Sequence, residues 1–297
     1  MQFINNIKGL YLVAALAVVI ICIYLYTFFN RVKPPEEIKS KYPGEEAFVL
    51  KDLKYSKDTL NYLDLYLTKN RDTETPLLII IHGGAWVQGD KKMFWTDMAN
   101  DFYNENICVA NINYRLAPKA KLNDMLKDIQ NALWFLKGNS KTFSLHTTQI
   151  HLLGTSAGGH LALLYAYTLG EKEIKTVTSF AGPVNFNDDV FYRLTQDWGL
   201  PNLYKDLLGS DYKNNDSVVI KASPIHNIKN IPLLLIHALD DDVVPFAQSK
   251  QLADSLQRKK IKHQLFTLPN GKHSPYGLNN SFKGVVNQMI IQQVKNH

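Results

Sequence analysis

From about residue 47 the chain exchanges short apolar runs for amphipathic stretches, the pattern of strands and helices alternating along one sheet. Residues 60–67 largely alternate, with Leu63, Leu65 and Leu67 on one face and Asp64 and Tyr66 on the other. That period of two predicts a half-buried strand. Leu77-Leu78-Ile79-Ile80-Ile81 has no polar face at all, as expected of a central parallel strand covered on both sides. Residues 107–112, 150–153, 176–180 and 233–236 read the same way, and 263–268 adds another strand. Between them, Met125, Ile129, Leu133 and Leu136 recur at spacings of four and three, which puts them on one side of a helix. Helices are also predicted over 161–169 and 247–256. The expected architecture is α/β: a mostly parallel, doubly wound sheet with helices on both faces.

Two segments depart from this rhythm. Residues 9–29 are 21 positions without a charge, long enough as a helix to span about 30 Å of hydrocarbon. Tyr11 lies near one end, with Tyr24 and Tyr26 near the other, where amphipathic rings favour the interface. The run ends in Tyr-Thr-Phe-Phe-Asn-Arg, without the small-x-small site of a cleaved signal peptide. The expectation is an uncleaved, single-pass transmembrane helix within residues 1–30, followed by a proline-containing linker over 31–46 and a catalytic domain over 47–297. Lys8 precedes the span, whereas Arg31, Lys33, Lys39 and Lys41 follow it. This balance leans towards a cytoplasmic domain and leaves the side open. The second departure is 185–230, which carries Tyr192, Trp198 and Tyr204. It reads equally as a small cap over a site or as a helical excursion without substrate contact.

Charge and cysteine narrow the classes. The net charge of +6, from 33 Lys+Arg against 27 Asp+Glu, is mild for this length. The densest basic cluster, Arg258-Lys259-Lys260-Ile261-Lys262, reads as a solvated helix end, so no nucleic-acid partner is expected. Cys22 and Cys108, one in the apolar N-terminal run and one in a strand, predict no disulfide. No metal-ligand cluster or phosphate loop is apparent in the sequence, and no cofactor is expected.

The chemistry concentrates in a few loops. Gly154-Thr155-Ser156-Ala157-Gly158 follows a predicted strand and precedes a helix, the context in which a G-x-S-x-G serine projects above a sheet. Ala157 then offers its backbone N–H at a helix N-terminus, where a developing oxyanion is stabilised. His82-Gly83-Gly84-Ala85-Trp86 ends the 77–81 strand, and Gly84 and Ala85 are the expected further oxyanion donors. His82 is expected to fix this loop. Trp86 either lines a substrate pocket or packs beneath it. A serine needs a base, and the base an orienting carboxylate. Asp240, Asp241 and Asp242 follow the 233–236 strand and all qualify by position; His273 follows the 263–268 strand at the same sheet edge. His160, His226, His263 and His297 read as surface or satisfied core histidines.

These stretches, with Gly89-Asp90-Lys91, Tyr114-Arg115-Leu116-Ala117-Pro118 and Ala222-Ser223-Pro224, lie in an order that resembles the α/β-hydrolase esterase/lipase family. That family includes hormone-sensitive-lipase-like enzymes and the acetyl and feruloyl xylan esterases. The resemblance covers about residues 50–290. It implies an α/β-hydrolase fold and a catalytic triad of Ser156, Asp241 and His273. The acid falls on Asp241 because it lies four residues after His237 and four before Pro245. The implied activity is serine hydrolysis of a small-molecule carboxylic ester through an acyl-enzyme, with short acyl chains. An amide hydrolase such as a formamidase, or a catalytically silent scaffold of the same fold, are the alternatives. Two departures from the family pattern bear on substrate: Ala85 stands where many relatives carry a third glycine, and Lys-Ala-Lys-Leu-Asn follows Pro118 where a Phe-Pro-Ala segment is common.

Overall fold

The structure is a computed structural model that describes residues 48–72, 74–92, 101–145, 147, 149–170, 174–212 and 216–297. Eight strands form one sheet: β1 (Phe48–Lys54), β2 (Tyr62–Leu67), β3 (Leu77–Ile81), β4 (Cys108–Ile112), β5 (Ile150–Thr155), β6 (Ile174–Phe180), β7 (Leu233–Ala238) and β8 (His263–Leu268). Their spatial order is β1-β2-β4-β3-β5-β6-β7-β8. β2 pairs antiparallel with both β1 and β4, and every pairing from β4 to β8 is parallel.

The continuous apolar runs are explained by the two faces they must cover. In β3, Leu77, Ile79 and Ile81 enter one core cluster while Leu78 and Ile80 enter the other. β7 divides likewise, Leu233 and Leu235 against Leu234 and Ile236. On the first face lie α1 (Leu122–Gly138), α3 (Ala157–Thr168) and α7 (Phe246–Arg258); on the other lies α8 (Lys283–Lys295). A short α2 (Ser140–Phe143) extends α1. Each fully buried Leu or Ile contributes roughly 1.5–3 kcal/mol, so these runs are what make a two-faced sheet stable.

Three details depart from the pattern read in the sequence. β1 is an unpredicted strand: its register shifts between Leu50 and Leu53, with Asp52 at φ 54°, so it shows no clean period of two. α8 is also unpredicted, although Val286, Ile290, Ile291 and Val294 form its buried side. β2 is not half-exposed, because Asp64 lies inside and bonds Lys91. The predicted membrane segment at 1–30 and linker at 31–46 lie outside the described residues. Among the described residues no helix is long and apolar enough to cross a membrane.

Between β6 and β7 the chain makes its excursion through α4 (Asp189–Asp197), α5 (Leu203–Leu208) and α6 (Ser217–Ala222). Because β3, β5, β6, β7 and β8 run in one direction, the loops that leave their carboxyl ends gather at one edge of the sheet. Ligand sites of open α/β sheets form at that edge.

Candidate active site

Ser156 occupies the single residue between β5 and α3, at φ 54° and ψ −120°. A non-glycine residue pays roughly 1–2 kcal/mol to hold positive φ, so the surroundings must enforce the turn. Its N–H donates to the Phe180 carbonyl at 2.7 Å, tying the turn to β6. The first turn of α3 presses against the end of β3. A Cβ on Gly158 would sit 2.1 Å from the Ile81 carbonyl oxygen, so only glycine fits there.

The loop after β3 lies against this elbow. A Cβ on Gly83 would fall 2.9 Å from the Thr155 carbonyl oxygen and 3.3 Å from Ser156 Cβ. His82 holds the loop from below. Its Nδ1–H donates to the Gly83 carbonyl at 2.7 Å, and its ring stacks on Tyr114 at 4.3 Å. The Tyr114 hydroxyl donates to the His82 carbonyl at 3.0 Å. Burial lowers the His82 pKa, which keeps the ring neutral. Ala85 and Trp86 both adopt positive φ, 50° and 63°. The N–H groups of Gly84, Ala85 and Ala157 have no protein acceptor among the described residues.

Of the three candidate aspartates, Asp241 alone is enclosed: its side chain is 0 % exposed. Its Oδ1 accepts the N–H groups of Val243 and Val244, each at 2.9 Å. Its Oδ2 accepts from His273 Nδ1 at 2.8 Å and lies 3.1 Å from His237 Nε2. Burial raises the Asp241 pKa, but the bonds from His237 and His273 outweigh it and hold the group well below the usual carboxylate range. Asp240 instead accepts the Lys272 N–H, and Asp242 meets the Lys272 ammonium at 3.4 Å.

Ser156 and His273 line one cavity of about 570 Å³, together with Gly84, Ala85, Trp198 and Leu200. His273 Nε2 is enclosed there and has no hydrogen-bond partner among the described residues, so no bond joins it to Ser156. Trp86 borders the cavity yet is only 1 % exposed, and its indole N–H donates to His160 Nδ1 at 3.1 Å. His160 donates in turn from Nε2 to the Ala222 carbonyl, and burial lowers its pKa to about 4. It is a satisfied core histidine, as its position past the elbow implies. Trp198 and Leu200 bring the 185–230 excursion to the cavity wall. His237 was absent from the expected site; its only sequence signal is its place at a strand end, four residues before Asp241.

The sheet order, the serine elbow and the loops at the carboxyl edge are those of an α/β hydrolase. More narrowly, residues 63–256 match the family model described as BD-FAE, and the chain belongs to that family. An isoprenylcysteine alpha-carbonyl methylesterase of Arabidopsis thaliana is 27 % identical over 254 residues, covering 80 % of this chain and 59 % of the relative. Esterase LipC of Mycobacterium tuberculosis is 25 % identical over 216 residues, 68 % of this chain and 54 % of the relative. The chain thus spans little more than half the length of these curated relatives. Among solved structures, a truncated carbohydrate esterase from gut microbiota superposes with a TM-score of 0.70 at 21 % identity, over 89 % of this chain and all of that one. Esterase B from Lactobacillus rhamnosis gives 0.67 at 18 % identity, over 97 % and 95 %.

Proposed function

We propose that this chain hydrolyses small carboxylic esters through a covalent acyl-enzyme, with Ser156 as nucleophile, His273 as base and Asp241 as the carboxylate that orients the base. The observation that carries the reading is the state of His273. Its Nδ1 is bound to a buried, ionised Asp241, while its Nε2, in the cavity that Ser156 lines, is unpaired among the described residues. An imidazole oriented on one side and open on the other is what a general base requires. The missing Ser156–His273 bond is consistent with this, because such bonds often tighten only when substrate is bound.

In the proposed sequence His273 Nε2 takes the Ser156 proton as Oγ attacks the ester carbonyl. The carbonyl oxygen gains its charge beside the N–H groups of Gly84, Ala85 and Ala157. His273 returns the proton to the departing alcohol, and water, activated by the same nitrogen, cleaves the acyl-enzyme. The relatives named as esterases support ester over amide substrates. The apolar walls from Trp198, Leu200 and Val243 favour a short acyl group or a small apolar alcohol. Residues 9–29 are proposed to anchor the enzyme at a membrane.

The test is turnover of 4-nitrophenyl acetate, butyrate and octanoate by the full-length chain and by Ser156→Ala. The variant is expected to lose at least about 10³-fold in kcat, with fluorophosphonate labelling abolished. Full activity in Ser156→Ala would reject the serine mechanism. Faster octanoate than acetate turnover would reject the short-chain preference.

A further inference from the structure

His237 ends β7, and its side chain is completely enclosed. Its Nδ1 lies 2.7 Å from Ser249 Oγ, and its Nε2 lies 2.8 Å from the Val244 carbonyl and 3.1 Å from Asp241 Oδ2. A carbonyl and a carboxylate oxygen only accept, so Nε2 carries a hydrogen and shares it between them. This holds for the neutral ring, with Ser249 donating to Nδ1, and equally for the imidazolium. Phe246 packs edge-on against the ring at 5.7 Å, and with Ser249 it fixes the imidazole from α7.

Two histidines therefore converge on one oxygen of one carboxylate. Asp241 Oδ1 is held by two backbone N–H groups, which leaves the plane of the carboxylate dependent on what grips Oδ2. If His273 were the sole donor there, each movement of its ring during proton transfer would drag Oδ2 with it. The geometry points to His237 as a positioning residue for the reaction proposed above: its Nε2–H pins Asp241 Oδ2 so that the carboxylate presents a fixed acceptor to His273. The assignment rests on the ester-hydrolase reading. His237 does not border the cavity, so it acts through Asp241 and touches no substrate.

The test compares three substitutions in the full-length chain, with melting curves to show that each folds. A glutamine amide nitrogen reaches the place of Nε2, whereas the shorter asparagine amide reaches only that of Nδ1, and leucine reaches neither. His237→Leu and His237→Asn are expected to lower kcat on the order of 10- to 100-fold, with KM within about twofold, because misplacing a catalytic group costs that much. His237→Gln is expected to recover to within a few-fold of wild type. Should the leucine protein fail to fold, Ser249→Ala decides, since it frees the ring without removing it; a several-fold fall in kcat at unchanged KM is expected. Equal kcat in the Gln and Asn variants, or unchanged kcat in Ser249→Ala, would overturn the assignment. Ser156→Ala measured alongside separates the two ideas. If it stays active the ester-hydrolase reading falls; if it is inactive while glutamine and asparagine behave alike, only the role of His237 falls.

Discussion

Lys91, beside β1 and β2, and Asp241, beyond β7, are both buried charges, and the molecule satisfies them in opposite ways. The Lys91 ammonium bonds Asp52 at 2.8 Å and Asp64 at 2.7 Å. Its backbone N–H meets Asn113 and its carbonyl meets Asn111, so each of its polar groups ends on protein. The Asp241 cluster is saturated around the carboxylate but stops at His273 Nε2, which has no partner among the described residues. Bonds on every side hold Lys91 itself, although Asn111 Oδ1 beside it has no partner among the described residues, whereas the unfilled nitrogen of His273 faces a cavity that Ser156 lines. Lys91 lies in the chain segment that continues the Gly83–Trp86 loop, so the closed cluster braces the stretch facing the open one.

The largest expected effect breaks the closed cluster. Lys91→Met leaves Asp64 buried without a counter-charge and should cost about 3–5 kcal/mol, lowering the thermal midpoint by roughly 10 °C. Chemical denaturation would register it, and a loss below 1 kcal/mol would show that the cluster is not holding the edge. The next prediction separates the clusters by pH. Asp241 has a lowered pKa, so its contribution is complete above the unfolded carboxylate value of about 3.9 and is lost as pH falls from there towards the folded value. The stability deficit of Asp241→Asn at pH 7 should therefore shrink as pH drops below about 4. At Lys91 burial lowers the pKa, but the bonds from Asp52 and Asp64 raise it further, for a net rise. Its contribution is complete below about 10.4 and is lost only as pH climbs through the folded value, so the Lys91→Met deficit should hold from neutral pH up to about 10 and shrink beyond it. Melting curves of Asp241→Asn across about pH 3–7 and of Lys91→Met across about pH 7–11 check both; an Asp241→Asn deficit that does not shrink below about pH 4, or a Lys91→Met deficit already gone at about pH 9, would sink the distinction. The smallest effect concerns the loop itself. Ala85→Gly relieves a positive φ of 50° and should stabilise by up to about 1 kcal/mol, with kcat within about twofold. A clear loss of midpoint would mean that the alanine methyl packs where glycine leaves a gap.

Much of this was legible before any coordinates. The runs at 77–81 and 233–236, five and four apolar residues long, have the length of strands buried on two faces, whereas the longer buried run in α3 has that of a helix. The serine elbow and the histidine loop follow from short local patterns. Asp241 is different: position allows three aspartates and family register selects one, and of the three only Asp241 turns its oxygens towards two backbone N–H groups and two imidazoles. β1 was hidden by its bulge, and Asp64 was misassigned to solvent because its counter-charge is 27 residues away in Lys91. His237 was missed for a related reason. A histidine at a strand end carries no local mark of what its ring meets, and its partners, Ser249 and Asp241, become neighbours only once α7 docks.

Part of the cavity wall comes from Trp198 and Leu200, in a stretch that contributes no strand to the sheet. Substitutions at those two positions disturb no strand register, although the same excursion also holds His160, and through it Trp86, by the Ala222 carbonyl. The shape of the cavity can therefore be edited at Trp198 and Leu200, two side chains outside the sheet, while Ser156, Asp241 and His273 keep their places in the loops that leave it.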